Sequence, residues 1–207
     1  MSLAPHFYRC CIDPMTGSIR RQIVDWVPHG TRVLDVGSGT GALCFDLANQ
    51  CDRVTGIDIS GEMVEYANRL KMKKRMGHLE FRVMDATRAL GFEDQSFHYC
   101  ILTMALHQFP EELRWPIMKE GMRVARYLIM ADYYVPLPRT MYGYLAKSIE
   151  RLAGGEHYRN FLNYYSNQGL RSLIARRNVA MNQSRIVGGG IFSLIQISHF
   201  NKPAGIT

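Results

Sequence analysis

The sequence predicts an α/β fold, a doubly wound and mostly parallel sheet that finishes in an antiparallel strand. Three observations carry this expectation. Short apolar runs rich in Val, Ile and Leu alternate with helix-spaced stretches as far as Ala131. A glycine-rich turn, Gly37-Ser38-Gly39-Thr40-Gly41, stands directly after the first apolar run. Two late extended runs flank Gly188-Gly189-Gly190, which signals a hairpin rather than a crossover.

The elements follow in order. Asp13-Pro14 reads as a helix start, with proline at the first helical position. Ile19, Ile23, Trp26 and Val27 continue at helical spacing until Pro28-His29-Gly30 breaks the pattern. Arg32 to Val36 is a short buried strand, and Leu43, Phe45, Leu47 and Ala48 mark the helix after the glycines. Val54 to Asp58 is a second strand. Ser60 caps a helix that carries Met63, Val64, Ala67 and Leu70. Leu79 to Met84 and Phe97 to Thr103 are the third and fourth strands. Glu111 to Val124 is helical, with Pro116 near its start or kinking it. Ala125 to Ala131 is the fifth strand. Beyond Pro136 and Pro138, a helix over Met141 to Leu152 ends at Gly154-Gly155, and another starts near Ser166 with Leu170, Leu173 and Ile174. Val179 to Val187 and Ile191 to Ser198 close the chain as paired strands.

Composition narrows the function. The 207 residues suit one domain, with residues 1–30 as a helical N-terminal cover and 31–132 as a ligand-binding core. Residues 133–165 would form a helical substrate cover, and 166–200 the final helix and hairpin. Hydrophobic residues at 47% and charged ones at 21% are ordinary globular values. No run approaches the roughly 18 apolar residues of a membrane span, and Met1 to Tyr8 lack a basic-then-apolar leader pattern. The five cysteines include no C-x-x-C pair, so no disulfide framework is expected and a cytoplasmic location is. Cys10-Cys11 has no second pair at zinc spacing, and no metal-ligand cluster is legible. The net charge of +7 concentrates at Arg69, Lys71, Lys73, Lys74 and Arg75. A basic helix end just before Gly77 explains this run better than a phosphate-binding patch does.

The chemistry-bearing residues fall at strand ends. The glycine turn lets the backbone leave the strand sharply, lets a ligand approach the main chain, and turns helix N-terminal amides toward it. Such a turn alone fits several nucleotide-binding folds. Asp35 separates them, because a carboxylate there repels a pyrophosphate and tolerates an ammonium or sulfonium group. Asp58 ends the second strand, where it can accept both hydroxyls of a ribose. Asp85, with Ala86, follows the third strand and can accept from the amine of adenine. Each acid alone could equally be a helix cap or a solvated loop residue. At three successive strand ends beside the glycine turn, they predict a nucleoside ligand.

Val33 to Gly41 resembles the first motif of the class I S-adenosylmethionine-dependent methyltransferases. Val54 to Ser60 is similar to their second-strand acidic motif. Asp85-Ala86 and Phe97 to Pro110, with Leu106-His107-Gln108-Phe109-Pro110, resemble the third- and fourth-strand motifs. The resemblance spans about residues 31 to 132 and implies a Rossmann-like seven-stranded sheet with its last strand antiparallel. It implies S-adenosyl-L-methionine as cofactor. Gly37, Ser38, Gly39 and Gly41 would lie at its aminoacyl part, Asp58 at its ribose, Ile59 and Met63 against its adenine, and Asp85 and Ala86 at the adenine edge; Asp35 and Thr103 would also line the cofactor site. Tyr144-Leu145 with Ser148 and the terminal strand pair resemble the quinone-biosynthesis methyltransferases loosely. One departure is that Arg123 to Tyr127 runs from helix to strand without the family's glycine turn.

Methyl transfer is an in-line displacement, for which alignment and exclusion of water matter most. Where the acceptor must lose a proton, His107 is the candidate base; a structural role packing over the adenosine is the plainer account. Residues 133 to 165 are rich in tyrosine, which suits a flat apolar acceptor and equally suits plain packing. His6, Tyr8 and His157 are second-rank pocket residues. The fourth strand ends in Thr103-Met104-Ala105-Leu106, not in an Asn-Pro-Pro-Tyr-type tetrapeptide or a Pro-Cys pair. A small-molecule acceptor is therefore expected ahead of nucleic acid or protein, and a catalytically silent cofactor-binding protein is the remaining alternative. Oligomeric state is not legible.

Overall fold

The computed structural model describes residues 13–177 and 179–199. His6, Tyr8, Cys10 and Cys11 lie outside them. Seven strands form one sheet in the order β3-β2-β1-β4-β5-β7-β6. They are β1 Arg32–Val36, β2 Arg53–Asp58, β3 Leu79–Val83, β4 Phe97–Thr103, β5 Ala125–Tyr133, β6 Val179–Val187 and β7 Phe192–His199. β1 to β5 run parallel; β7 pairs antiparallel with β5 on one side and β6 on the other. The predicted fold class holds, and the one strand that reverses direction is the last in sequence.

The reason lies in side-chain pattern. β1 and β4 are buried on both faces, as central parallel strands require, so they read as continuous apolar runs. β6, at the sheet edge, is largely exposed and carries polar Asn182, Gln183, Ser184 and Arg185. Charged and polar residues at an edge discourage pairing with another chain.

Helices flank the sheet: α1 Gly17–Trp26, α2 Ala42–Leu47, α3 Gly61–Lys74, α4 Glu111–Val124, α5 Met141–Ala153, α6 Gly155–Ser166 and α7 Gly169–Ala175. A helical turn, Asp13–Met15, precedes α1. The apolar stripe of α1 buries Ile19 and Ile23 completely, and burial of one such side chain stabilises by roughly 1.5–3 kcal/mol. Ser60 caps α3 by accepting from the Met63 amide, and the basic residues Lys71, Lys73 and Lys74 occupy its last turn. The structure thus places the basic run at the negative pole of a helix. Pro116 is accommodated inside α4, and α4 runs into β5 with no intervening residue.

Two expectations need correction. The helix over Met141–Ala153 does end at Gly154, as expected, but an unforeseen helix, α6, follows at once from Gly155, and α7 begins at Gly169 rather than near Ser166. β5 extends to Tyr133, so that residue belongs to the sheet and not to the cover. No helix among the described residues is long and apolar enough to cross a membrane.

Candidate functional site

The C-terminal ends of β1 to β4 share one rim, where open α/β sheets bind ligands. A cleft of about 280 Å³ lies there. Of the residues singled out from the sequence, Gly37, Gly39, Asp58, Ile59, Met63, Asp85, Ala86 and Thr103 line it. A smaller cavity of about 50 Å³ continues beneath the glycine turn past Asp35, Ser38 and Thr103. A larger groove of about 790 Å³ lies away from the strand ends, between α1 and Lys74, and is lined by charges of both signs.

Asp58 organises the cleft. Its Oδ2 accepts from the Gly39 amide and its Oδ1 from the Ser60 amide, both at 2.8 Å. Each oxygen keeps one further lone pair. The glycine turn is tied down further by the amides of Gly37 and Ser38, which both donate to the Ile57 carbonyl, and by Gly41, which donates to Ser38. Side chains could not replace the glycines here. Gly41 sits at φ +80, and a Cβ on it would stand 2.8 Å from the Phe81 ring. Gly56 on β2 faces the same ring, with a Cβ placed at 2.7 Å.

The amides of Gly37, Ser38, Gly39 and Gly41 all have protein partners. The unmatched groups are hydroxyls. Ser38 Oγ and Thr103 Oγ1 are both buried with no hydrogen-bond partner. Such atoms cost free energy unless something polar meets them.

Asp35 is buried under the turn, where the Cys44 thiol donates to its Oδ2 at 3.3 Å. Burial pushes its pKa up to about 7; the Cys44 hydrogen bond opposes this, and the charge of Asp58 adds to it. Burial and the neighbouring Asp35 push the Cys44 thiol well up, which keeps it a donor. Asp85 behaves oppositely. Its Oδ1 accepts from the Thr87 hydroxyl and amide, and its pKa is lowered by these bonds. Arg88 stands 3.3 Å from its other oxygen.

Ile59 is 70% exposed on the rim, an apolar side chain facing open space. With Met63 and Ala86 it makes a surface for a flat ring. Met84, Met104, Gln108 and Phe109, none of them singled out as a site residue from the sequence, complete the wall. Their spacing is not helical or alternating, and they meet only because the loops after β3 and β4 converge.

His107 is the main departure. It is 1% exposed and does not line the cleft. Its Nδ1 lies 2.6 Å from Asp132 Oδ1, and its Nε2 faces Glu150 at 3.5 Å. Burial works to lower its pKa, but Asp132 and Glu150 outweigh burial and hold it above the usual histidine value. His107 therefore cannot touch an acceptor in the cleft, and its assignment as the base is corrected on that ground. The tyrosines of the cover are not a pocket wall either. Tyr133 and Tyr164 are buried in the core, while Tyr142 and Tyr144 point to solvent. His157 joins Glu150 and also lies away from the cleft.

Arg114 links this cluster to the rim. Its Nε donates to the carbonyls of Leu106 and Phe109, and its Nη atoms to Asn163 Oδ1 and the Asn160 carbonyl. The turn that carries Gln108 and Phe109 is thus fastened to α6.

Comparison with known proteins agrees with this architecture. Residues 33–127 match the family model described as a methyltransferase domain. An uncharacterised methyltransferase of Bacillus subtilis, YcgJ, is 29% identical over 111 residues, which is 51% of this chain and 42% of that protein. Its solved structure superposes with a TM-score of 0.66 at 17% identity, covering 88% of this chain and 98% of that one. A demethylmenaquinone methyltransferase of Tropheryma whipplei is 40% identical over 81 residues, 39% of this chain and 32% of that protein. This chain therefore spans less than half the length of either curated relative in sequence. Magnesium protoporphyrin IX methyltransferase from Synechocystis, solved with bound SAH, shares the fold with a TM-score of 0.64 at 20% identity, over 91% of this chain and 84% of that one.

Proposed function

We propose, from the premise that this chain carries a methyltransferase domain of the class I S-adenosylmethionine-dependent family, that it binds S-adenosylmethionine in the strand-end cleft and methylates a small, flat, apolar acceptor. The observation that carries the reading is the pair of orphaned hydroxyls, Ser38 Oγ and Thr103 Oγ1, buried beside a carboxylate and a glycine turn. They match the polar aminoacyl end of that cofactor. Asp35 beneath them suits its ammonium group. The free lone pairs of Asp58 suit the ribose hydroxyls, and Ile59, Met63 and Ala86 suit the adenine.

When bound, the cofactor supplies a methyl group already activated by positive sulfur. The protein's part is placement and exclusion of water. Asp58 braces the glycine turn and holds the ribose in one step, so the two are coupled. Met104 and Phe109 close the reacting end with apolar surface. Among the described cleft residues, Asp58 and Asp85 are the titratable ones, and both are committed to hydrogen bonds. The acceptor must then lose its proton without a dedicated histidine. Phenols, enols and quinol-like carbon acids of low pKa meet that condition. The similarity over 81 residues to a demethylmenaquinone methyltransferase supports the same substrate class. Residues 134–165 would cover the acceptor from above the rim.

Calorimetry tests the reading. S-adenosylhomocysteine should bind and NAD should not, and Asp58→Ala should weaken binding by about 1–3 kcal/mol through the unpaired ribose hydroxyls. Absence of binding, or heat with NAD alone, would refute it. Acceptor screening then starts from phenols and quinols, with RNA as the contrasting arm.

A further inference from the structure

The cluster behind the cleft has a chemistry of its own. His107 Nε2, a Glu150 carboxylate oxygen and His157 Nε2 all lie within 4.8 Å of one another. They come from three elements: the turn Leu106–Gln108, α5 and α6. We infer that they form a binding site for one divalent first-row transition ion, with zinc as the type, and that the ion fastens the helical cover to the sheet rim.

Several observations converge. A metal at about 2.0–2.2 Å from nitrogen and oxygen ligands needs ligand atoms a little over 3 Å apart. Glu150 Oε1 stands 3.5 Å from His107 Nε2 and Glu150 Oε2 stands 2.6 Å from His157 Nε2, and the three ligand atoms lie within 4.8 Å of one another, so a small shift of the carboxylate and of His157 brings them to metal-ligand spacing. The supporting groups are those of a metal site. His107 Nδ1 faces Asp132 Oδ1 at 2.6 Å, which places the proton on Nδ1 and turns the Nε2 lone pair toward Glu150. A carboxylate behind a ligating imidazole fixes its tautomer and raises its basicity. Glu150 in turn accepts from the Tyr133 hydroxyl at 2.7 Å, which orients the carboxylate.

Charge and ligand type point the same way. Asp132 and Glu150 are both buried, at 1% and 4% exposure. Arg114 offsets part of that negative charge, and a divalent ion would meet the rest. Two imidazoles and one carboxylate favour zinc, iron, cobalt or nickel over magnesium or calcium, which prefer all-oxygen sets. The His157 side chain is 30% exposed, which gives an ion a route in. The sequence could not show the site, because the ligands follow no zinc spacing and Glu150 and His157 are separated by the Gly154 break.

The inference does not depend on the methyltransferase reading, and its test does not use activity. The full chain is stripped with a chelator and titrated with cobalt(II), then with zinc. Expected are one equivalent bound, visible absorption bands of low-symmetry cobalt that zinc abolishes, and a rise in melting temperature. His157→Gln, at a partly exposed position, should fold by circular dichroism yet lose the bands and the rise. His29→Gln, on a distant turn, should keep both. No stoichiometric binding by the wild type would overturn the inference. So would binding that survives His157→Gln, or that disappears with His29→Gln, since each marks an unrelated surface site.

Discussion

Replacing Asp35 by asparagine should make the ligand-free protein more stable, and more so as pH rises. Asp35 sits at 2% exposure beneath the glycine turn, with a thiol as its recorded side-chain donor. Burial is the main cause that lifts its pKa from 3.8 to about 7. The unfolded chain releases this proton near 3.8 and the folded chain holds it to about 7. Between those values the folded state binds more protons, so stability falls as pH rises. At 1.36 kcal/mol per pH unit the rise corresponds to at most about 4 kcal/mol, lost in full above about pH 7. Asparagine mimics the protonated acid and has nothing to titrate. Urea unfolding of both proteins at pH 4, 5, 6, 7 and 8 isolates the effect, because every other group titrates equally in the pair. The difference in stability should be near zero at pH 4 and reach a few kcal/mol in favour of asparagine at pH 8. A difference that stays flat with pH would refute the argument. A cationic ligand end should reverse the sign of the substitution. S-adenosylhomocysteine binding at pH 6 should release a proton from Asp35, visible as a dependence of binding heat on buffer ionisation enthalpy, and the asparagine variant should lose both the release and affinity.

Two further substitutions separate fold from site. Thr103→Val removes a buried hydroxyl that has no partner, so melting of the ligand-free protein should rise by the equivalent of about 1 kcal/mol while affinity for S-adenosylhomocysteine falls about tenfold; parallel losses in both would mean that the hydroxyl has a structural partner. Arg114→Met should cost about 3–5 kcal/mol, because three carbonyls and Asn163 lose a buried charged donor, and limited proteolysis should then cut first in residues 141–175; an unchanged denaturation midpoint would show that the clamp is idle.

The sequence revealed what local pattern controls. β1, β2 and β4 were legible almost to the residue because turn residues bound them and their centres are continuously apolar. The acids at the ends of β1, β2 and β3 were legible because a parallel sheet brings all such ends to one rim. Other features depend on distant partners. His107 looked like a rim residue from its place after β4, yet Asp132, 25 positions on, turns its ring inward. Helix α6 was hidden by two glycines that normally end helices and by a polar surface; what fixes it is Phe161 and Tyr164 beneath the cover and the Arg114 bonds to Asn160 and Asn163. The glycine turn was legible as a turn, but not the long-range bonds that take up its amides at the Ile57 carbonyl and the Asp58 carboxylate.

The placement of β7 also shapes how the molecule is made. A ribosome delivers β5 well before Phe192–His199, yet β5 has β7 as its outer neighbour, matched from Tyr127 with Ser198 to Tyr133 with Phe192. Until the hairpin emerges, that whole flank of β5 presents unpaired amides beside Leu128, Ile129 and Met130, all of them buried in the finished molecule. Vectorial synthesis therefore passes through a stage with a long, sticky, unsatisfied edge at the middle of the future sheet. β6 and β7 pair through the turn at Gly188, Gly189 and Gly190, and the edge is covered only when that hairpin docks. Damage to that turn would then show itself less in the finished molecule than in how much of the nascent chain escapes aggregation.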